Sequence, residues 1–259
     1  NSKNHAKSIL SNSKSHNLEW VSNISTLTEP FDFTIIATQS TGRVELINQL
    51  LMDGNKTFLI EKMVCQSINE YKKILDDFKK FQAKGWVNTN FRYFTFFQKL
   101  FPYFSKSTPL KFVISGGEKG LGTNAIHFLD LFSWFTNSND LILNGDSLTE
   151  KLLPNKRSDN LVEFSGTITG KNNNSNISIT FLDSIKNPIT VEISNPDNHI
   201  IIDTENTFVK NIKGLDNFSE QFEFKHTSEL TKKIASDILQ TDDCLLPSLE
   251  ELYLVHSEL

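Results

Sequence analysis

The sequence predicts an α/β chain: a partial doubly wound parallel sheet, followed by an α+β portion with a large, mainly antiparallel sheet. Three observations predict it. Residues 33–62 read FTIIATQSTGRVELINQLLMDGNKTFLIEK, where a β-branched run ends at Thr38, an amphipathic segment follows, and a second apolar run stops on Glu61 and Lys62. Strand, helix and strand within about 30 residues form the βαβ unit of a parallel sheet. A second amphipathic helix and a third apolar run, Trp86–Val87, extend the order to βαβαβ. From Leu141 to about Val209 the texture becomes period-two alternation, broken by turn clusters such as Lys171-Asn-Asn-Asn-Ser175 and Asn195-Pro-Asp-Asn198. That is the pattern of antiparallel strands.

The first strand is expected at Phe33–Ala37. Its helix should open at Ser40 as N-cap and close at Gly54, with Val44, Ile47 and Leu50 as the buried stripe. The strand Thr57–Ile60 follows. The second helix opens in Ser67-Ile-Asn-Glu70, a capping box, carries Ile68, Tyr71, Leu75 and Phe78 on one face, and is expected to end at Gly85. After Arg92, a Phe-rich amphipathic stretch (Tyr93–Phe104) leads to a strand at Lys111–Ser115. Gly116-Gly117 reads as a turn before a nearly continuous apolar helix over about Asn124–Phe135. Strands are then expected at Leu161–Thr169, Ile177–Leu182 and Ile189–Ile193, with a hairpin within His199–Val209. Two helices close the chain, one carrying Leu230, Ile234 and Ile238, the other opening in Pro247-Ser-Leu-Glu-Glu251, a further capping box. Two domains are expected, 1–91 and 92–259.

Bulk properties narrow the classes of function. With 38% hydrophobic and 22% charged residues the chain can bury a core and is too apolar to be disordered. A net charge of −5, without a basic cluster interleaved with aromatics, argues against a nucleic-acid partner. No apolar run approaches membrane-spanning length, and the polar start NSKNHAKSIL has no signal-peptide core. Cys65 and Cys244 suggest neither a zinc knuckle nor a disulfide framework, so the cytoplasm is the expected compartment. The remaining histidines (5, 16, 199, 226 and 256) show no metal-ligand spacing, and there is no Walker A motif or nucleophile elbow. No metal is expected. A small-molecule partner is.

In open parallel sheets, ligands bind where strands deliver their carboxyl ends. Thr38, Gln39, Glu61 and Lys62 sit at that edge. From the residues alone, Lys62 reads first as a solvated charge closing a buried strand, and His127, within an apolar helix, as a satisfied core histidine. Asp130 on the same helix needs a partner if buried, and a structural hydrogen bond is as good a reading as a chemical one. Arg92 reads equally as a ligand contact or as an ion pair across the domain boundary. A dinucleotide-binding sheet begins with a strand running into a Gly-rich turn. Gly42 is the first glycine here, so the expectation is an N-terminally truncated domain lacking that first strand and loop.

Four segments in order carry a resemblance. Asp32-Phe-Thr-Ile-Ile-Ala-Thr38 is similar to a strand ending in Thr-Pro beneath a nicotinamide, and Glu61-Lys62-Met63 to a Glu-Lys-Pro. Val87-Asn-Thr-Asn-Phe-Arg92 resembles a crossover into a second domain, and Gly122-Thr-Asn-Ala-Ile-His127-Phe-Leu-Asp130 an Asp-x-x-x-His-x-x-Asp helix. From about residue 20 onward the chain thus resembles the Gfo/Idh/MocA family of NAD(P)-dependent sugar and polyol oxidoreductases. It departs from the pattern at Gln39 and Met63, which stand for prolines, and at Thr123, which stands for the aspartate. The resemblance implies a Rossmann-like first domain, NAD or NADP as cofactor, and hydride transfer to or from a sugar, nucleotide sugar or cyclic polyol. It implies His127 as acid/base, a histidine's charge changing near neutral pH. It also implies Lys62 as the group that orients the reacting oxygen and stabilises alkoxide charge. Thr38, Gln39, Arg43, Glu61, Lys62 and Arg92 would contact the cofactor; Thr123, Asn124 and Asp130 the substrate. The second domain's sheet would supply a substrate floor and the interface of a homodimer or homotetramer. The alternative is a non-catalytic relative that binds a ligand or partner.

Overall fold

The computed structural model describes residues 21–27, 29–105, 109–117, 120–155, 161–183, 186–204, 208–215 and 227–259. Two compact units emerge, Asn1–Pro30 and Phe31–Leu259. In the first, the described residues include a 3-10 turn, Ile24–Thr26, capped by Asn23, whose side chain accepts from Ser25 N at 3.0 Å. Everything below concerns the second unit.

The parallel sheet has the order β1 (Thr34–Ile36), β2 (Thr57–Glu61), β3 (Lys84–Asn88), all pairs parallel. β2 is central, and its Phe58, Leu59 and Ile60 are sealed, as a strand covered on both faces should be. The connections are α1 (Arg43–Met52) and α2 (Ile68–Phe81). Val44, Ile47, Leu50 and Leu51 bury the inner stripe of α1. In α2 the buried residues are Tyr71, Ile74 and Phe78, with Ile68 and Leu75 half-buried beside them.

Two helix ends differ from expectation. Gly42, not Ser40, precedes α1; it adopts a left-handed φ of 71°, which a side chain would resist, and the Ser40 hydroxyl instead accepts from Gln66. α2 stops at Phe81, with Gln82 left-handed at φ 51°. Gly85 lies inside β3, where a Cβ would meet Leu249 at 2.6 Å and Phe78 at 2.7 Å. It is a packing glycine, not a stop. Ser67 does cap α2, accepting from Glu70 N at 3.2 Å, while the Glu70 carboxylate reaches Gln66 N at 2.8 Å, one residue before the cap.

The 3-10 turn Phe91–Tyr93 and α3 (Thr95–Phe104) lead into a seven-stranded sheet. It comprises β4 (Lys111–Gly117), β5 (Ile142–Leu148), β8 (Gly166–Asn172), β9 (Ser175–Leu182), β10 (Thr190–Ser194), β11 (His199–Asp203) and β12 (Phe208–Lys213), in the order β12-β11-β10-β4-β9-β8-β5. Every neighbouring pair is antiparallel except β4 with β9. β6 (Leu153–Pro154) and β7 (Val162–Glu163) form a separate two-stranded ladder. Gly116 and Gly117 are not a turn: β9 continues beside them, and they pair with Phe181 and Leu182. The strand expected at Leu161–Thr169 breaks after Glu163, because Gly166, at φ 113°, packs against Ser147 O and the Leu148 backbone.

α4 (Leu121–Thr136) is the hub. It is apolar around most of its circumference because it touches β9, β8, β7, the Phe91–Tyr93 turn and α6 (Leu249–Glu258). Phe128, Phe132 and Phe135 pack on Phe112 and Phe181 of the sheet. α5 (Thr227–Thr241) buries Leu230, Ile234 and Ile238, and α6 opens with the complete Ser248/Glu251 capping box. Among the described residues no helix is long and apolar enough to cross a membrane.

Candidate active site

A cavity of about 660 Å³ lies between the carboxyl ends of the parallel strands and the first turn of α4. That volume suits a small-molecule site. One wall is Thr38, Gln39, Ser40, Lys62 and Met63 at the ends of β1 and β2; facing it are Leu121, Gly122 and Thr123. The parallel pairing of β1 with β2 aligns Ile36 with Ile60, so both strands release their chains at one level.

Lys62 follows directly on β2, is half-buried, and its Nζ donates to Thr123 O at 2.6 Å. Lys62 and His127 are near enough to interact electrostatically, but they do not share the cavity wall. Burial first, and the Lys62 charge second, push His127 down to about 3, with a hydrogen bond to Thr89 opposing. Its Nδ1 lies 2.5 Å from Thr89 O. A carbonyl can only accept, so Nδ1 carries the proton and Nε2 presents the lone pair. One ring face stacks on Phe91, centroids 5.0 Å apart. His127 therefore does not change charge near neutral pH, contrary to expectation, and it does not line the cavity.

The other expected contacts divide. Thr38, Gln39 and Thr123 line the cavity. Arg43 also borders it, but its guanidinium donates to main-chain oxygens: those of Thr38 and Glu61, of Met63 at 2.6 Å and of Val64 at 3.3 Å. Its donors staple the two strand ends together. Glu61 turns to Asn88 Nδ2 at 2.7 Å, and Asn124 Nδ2 donates to Gly120 O at 2.8 Å; neither is on the cavity wall. Arg92 and Asp130, expected on cofactor and substrate respectively, are each other's partner. Arg92 reaches both carboxylate oxygens, at 2.6 and 3.2 Å, and Thr89 Oγ1 adds a bond of 2.7 Å. Asp130 is 1% exposed, and neither residue lines the cavity. The structural reading of that pair holds, and the ligand-contact reading is corrected by burial and mutual saturation.

Two residues escaped the sequence reading. Glu163, at the end of β7, is buried and accepts from Thr123 N at 3.2 Å and Asn155 Nδ2 at 3.1 Å. Burial pushes its carboxyl above the ordinary value; the N–H groups of Thr123, Gly122 and Phe164 and the Lys62 charge pull it back. A carboxylate on the inward phase of a strand was the available signal. His256, near the end of α6, borders the cavity with both ring nitrogens buried and without a hydrogen-bond partner among the described residues. Burial pushes it down to about 4. Among the described residues no group of three or more His, Cys, Asp or Glu is arranged to hold a metal.

No protein-family model and no curated protein matches the sequence. Solved structures do match the fold. UDP-N-acetylglucosamine 3-dehydrogenase GnnA from Acidithiobacillus ferrooxidans superposes with a TM-score of 0.71 at 12% identity, covering 98% of this chain and 82% of that one. The super-repressor mutant of Gal80p from Saccharomyces cerevisiae gives 0.67 at 13%, covering 97% and 82%. An oxidoreductase from Agrobacterium radiobacter, in complex with NAD+, L-tartaric acid and magnesium, gives 0.61 at 15%, covering 88% and 75%. The parallel sheet with its helices, the α4 hub and the seven-stranded sheet together are the fold that this chain shares with these solved structures.

Proposed function

We propose that the chain is an NAD(P)-dependent oxidoreductase that moves hydride between a nicotinamide cofactor and the carbinol carbon of a sugar, nucleotide sugar or cyclic polyol. The observation that carries this is Lys62, an ammonium at the end of a parallel strand, on the wall of a ligand-sized cavity and against the first turn of α4. The likenesses to a nucleotide-sugar dehydrogenase and to an oxidoreductase in complex with NAD+ support it.

The residues present fit such a cofactor. Hydroxyl and amide groups of Thr38, Gln39 and Ser40 border the strand-end side, and the orphaned nitrogens of His256 offer a donor and an acceptor that a polar ligand would satisfy. When bound, the nicotinamide supplies a carbon that accepts or gives hydride. The chain does the rest. Lys62 orients the substrate oxygen and stabilises its developing negative charge. His127 is the acid/base that the family resemblance implies; to take the hydroxyl proton it would have to reach the cavity wall, which it does not line here. Thr123 contacts the substrate from the α4 side.

The same reading assigns residues 1–91 to the cofactor side and 92–259 to the substrate side. It includes a homodimer or homotetramer, and a cytoplasmic location to which the free thiols of Cys65 and Cys244 are suited. The test is calorimetric titration with NAD+ and NADP+, followed by a turnover screen over sugars, nucleotide sugars and cyclic polyols, read as NAD(P)H absorbance. Stoichiometric binding with turnover is expected; absence of both overturns the proposal. One observation favours a second reading, a binding protein without turnover: His127 stands off the cavity wall, stacked on Phe91. Cofactor or sugar binding without turnover would select it.

A further inference from the structure

The first turn of α4 poses an electrostatic problem. A helix N-terminus carries a partial positive charge and unpaired N–H groups. Gly120, the N-cap, provides no side-chain cap. Yet the Lys62 ammonium is placed on this same turn, bonded to Thr123 O. Two positive features cannot sit together in a half-buried setting without an anion. The first turn of α4 itself contains no acidic residue.

Glu163 supplies the anion from outside the helix. Its Oε2 accepts from Thr123 N, and Asn155 Nδ2 holds its Oε1, so both oxygens are fixed. The approach is close: a Cβ at Gly120 would lie 2.2 Å from Glu163 Cδ, so the carboxylate would have to move, while one at Gly122 would lie 3.3 Å from Oε2. Among the described residues the titratable groups around this point are Lys62 from the end of β2, His127 from α4 and Glu163 from β7; the first two are electrostatically coupled, as are the first and third.

We propose that Glu163 is the positioning carboxylate of the site: it caps α4, offsets the helix charge, and holds the Lys62 ammonium charged and aimed at the ligand. It does in trans, from a strand 40 residues away, what a carboxylate at position 123 would do from the helix itself. The proposal rests on reading Lys62 as the functional cation, but its test needs no turnover. Lysines of the intact chain are reductively methylated with a carbon-13 label. The Lys62 signal is assigned by its loss in Lys62→Arg and titrated by NMR. In Glu163→Gln, which keeps an acceptor for Thr123 N but loses the charge, the Lys62 pKa should fall by about one unit, and Glu163→Asp should restore at least half of that fall. An unchanged Lys62 pKa overturns the proposal. Should Glu163→Gln fail to fold, the unsubstituted protein decides. Its Lys62 signal must show a second inflection in the carboxylate range, and a single inflection overturns the proposal. If Lys62 shifts as expected while no substrate turns over, the positioning role stands and the oxidoreductase reading falls.

Discussion

The first turn and the middle of α4 hold similar charges in opposite circumstances. Two turns into the helix, Asp130 meets Arg92 in a sealed pair, with Thr89 completing its hydrogen bonds. At the first turn, Glu163 and Lys62 meet around Thr123 beside a cavity, one buried and the other half-open. A sealed pair has spent its hydrogen-bonding capacity on itself and can only hold the fold. A pair with one member on a cavity wall still has a charge to offer a ligand. The contrast separates structure from chemistry better than residue type does, because both pairs combine a carboxylate with a cation.

Four experiments could break or sharpen that contrast. The largest effect is expected at the sealed pair. Asp130→Ala should cost about 3–5 kcal/mol, since it strands the Arg92 guanidinium in the interior. A urea midpoint shift corresponding to less than about 1 kcal/mol would show that the pair is not sealed. At the open end, Lys62→Ala should leave the urea midpoint nearly unchanged while turnover falls roughly 10²–10³-fold; equal rates would remove Lys62 from the chemistry.

The next effect is a dependence on pH. His127 and His256 are pushed to about 3 and about 4 from an ordinary 6.5, chiefly by burial. Between those values and 6.5 the unfolded chain binds the extra protons, so stability is full above 6.5 and falls as pH drops through this window. His127→Gln should flatten the fall in urea midpoints measured at successively lower pH; an unaltered slope would mean that His127 is already solvated. Smallest is Ser67→Ala, the loss of a neutral cap at α2, expected to cost about 1 kcal/mol. It calibrates an ordinary hydrogen bond at a helix end against the charged arrangement at α4, and a cost above about 3 kcal/mol would erase that distinction.

Local patterns carried much of the fold. The apolar run Thr57–Ile60, the Ser67 and Ser248 caps and the Leu230/Ile234/Ile238 stripe are near-neighbour signals, and each element formed. Gly85 and Gly116-Gly117 were misread because their role is set by partners distant in the chain: Phe78 and Leu249 for the first, β9 for the others. The site divides likewise. The place of Lys62 on the cavity wall was legible from the strand that ends before it, whereas its pairing with His127 came only from the family resemblance. Glu163 left only the signal of a carboxylate on the inward phase of a strand, and its contact with Thr123 forms only when β7 folds across the start of α4. Arg92 and Asp130 were legible as charged residues in apolar company, but only coordinates show that they satisfy each other.

Arg43 has a consequence for how such a pocket could be re-tuned. By gripping the carbonyl oxygens of Thr38, Glu61, Met63 and Val64, it fixes the rim through main-chain atoms that every amino acid possesses. Side chains at 38, 39 or 63 can therefore be exchanged singly to alter ligand preference while the walls stay put. A change at 43 would instead let both strand ends drift at once.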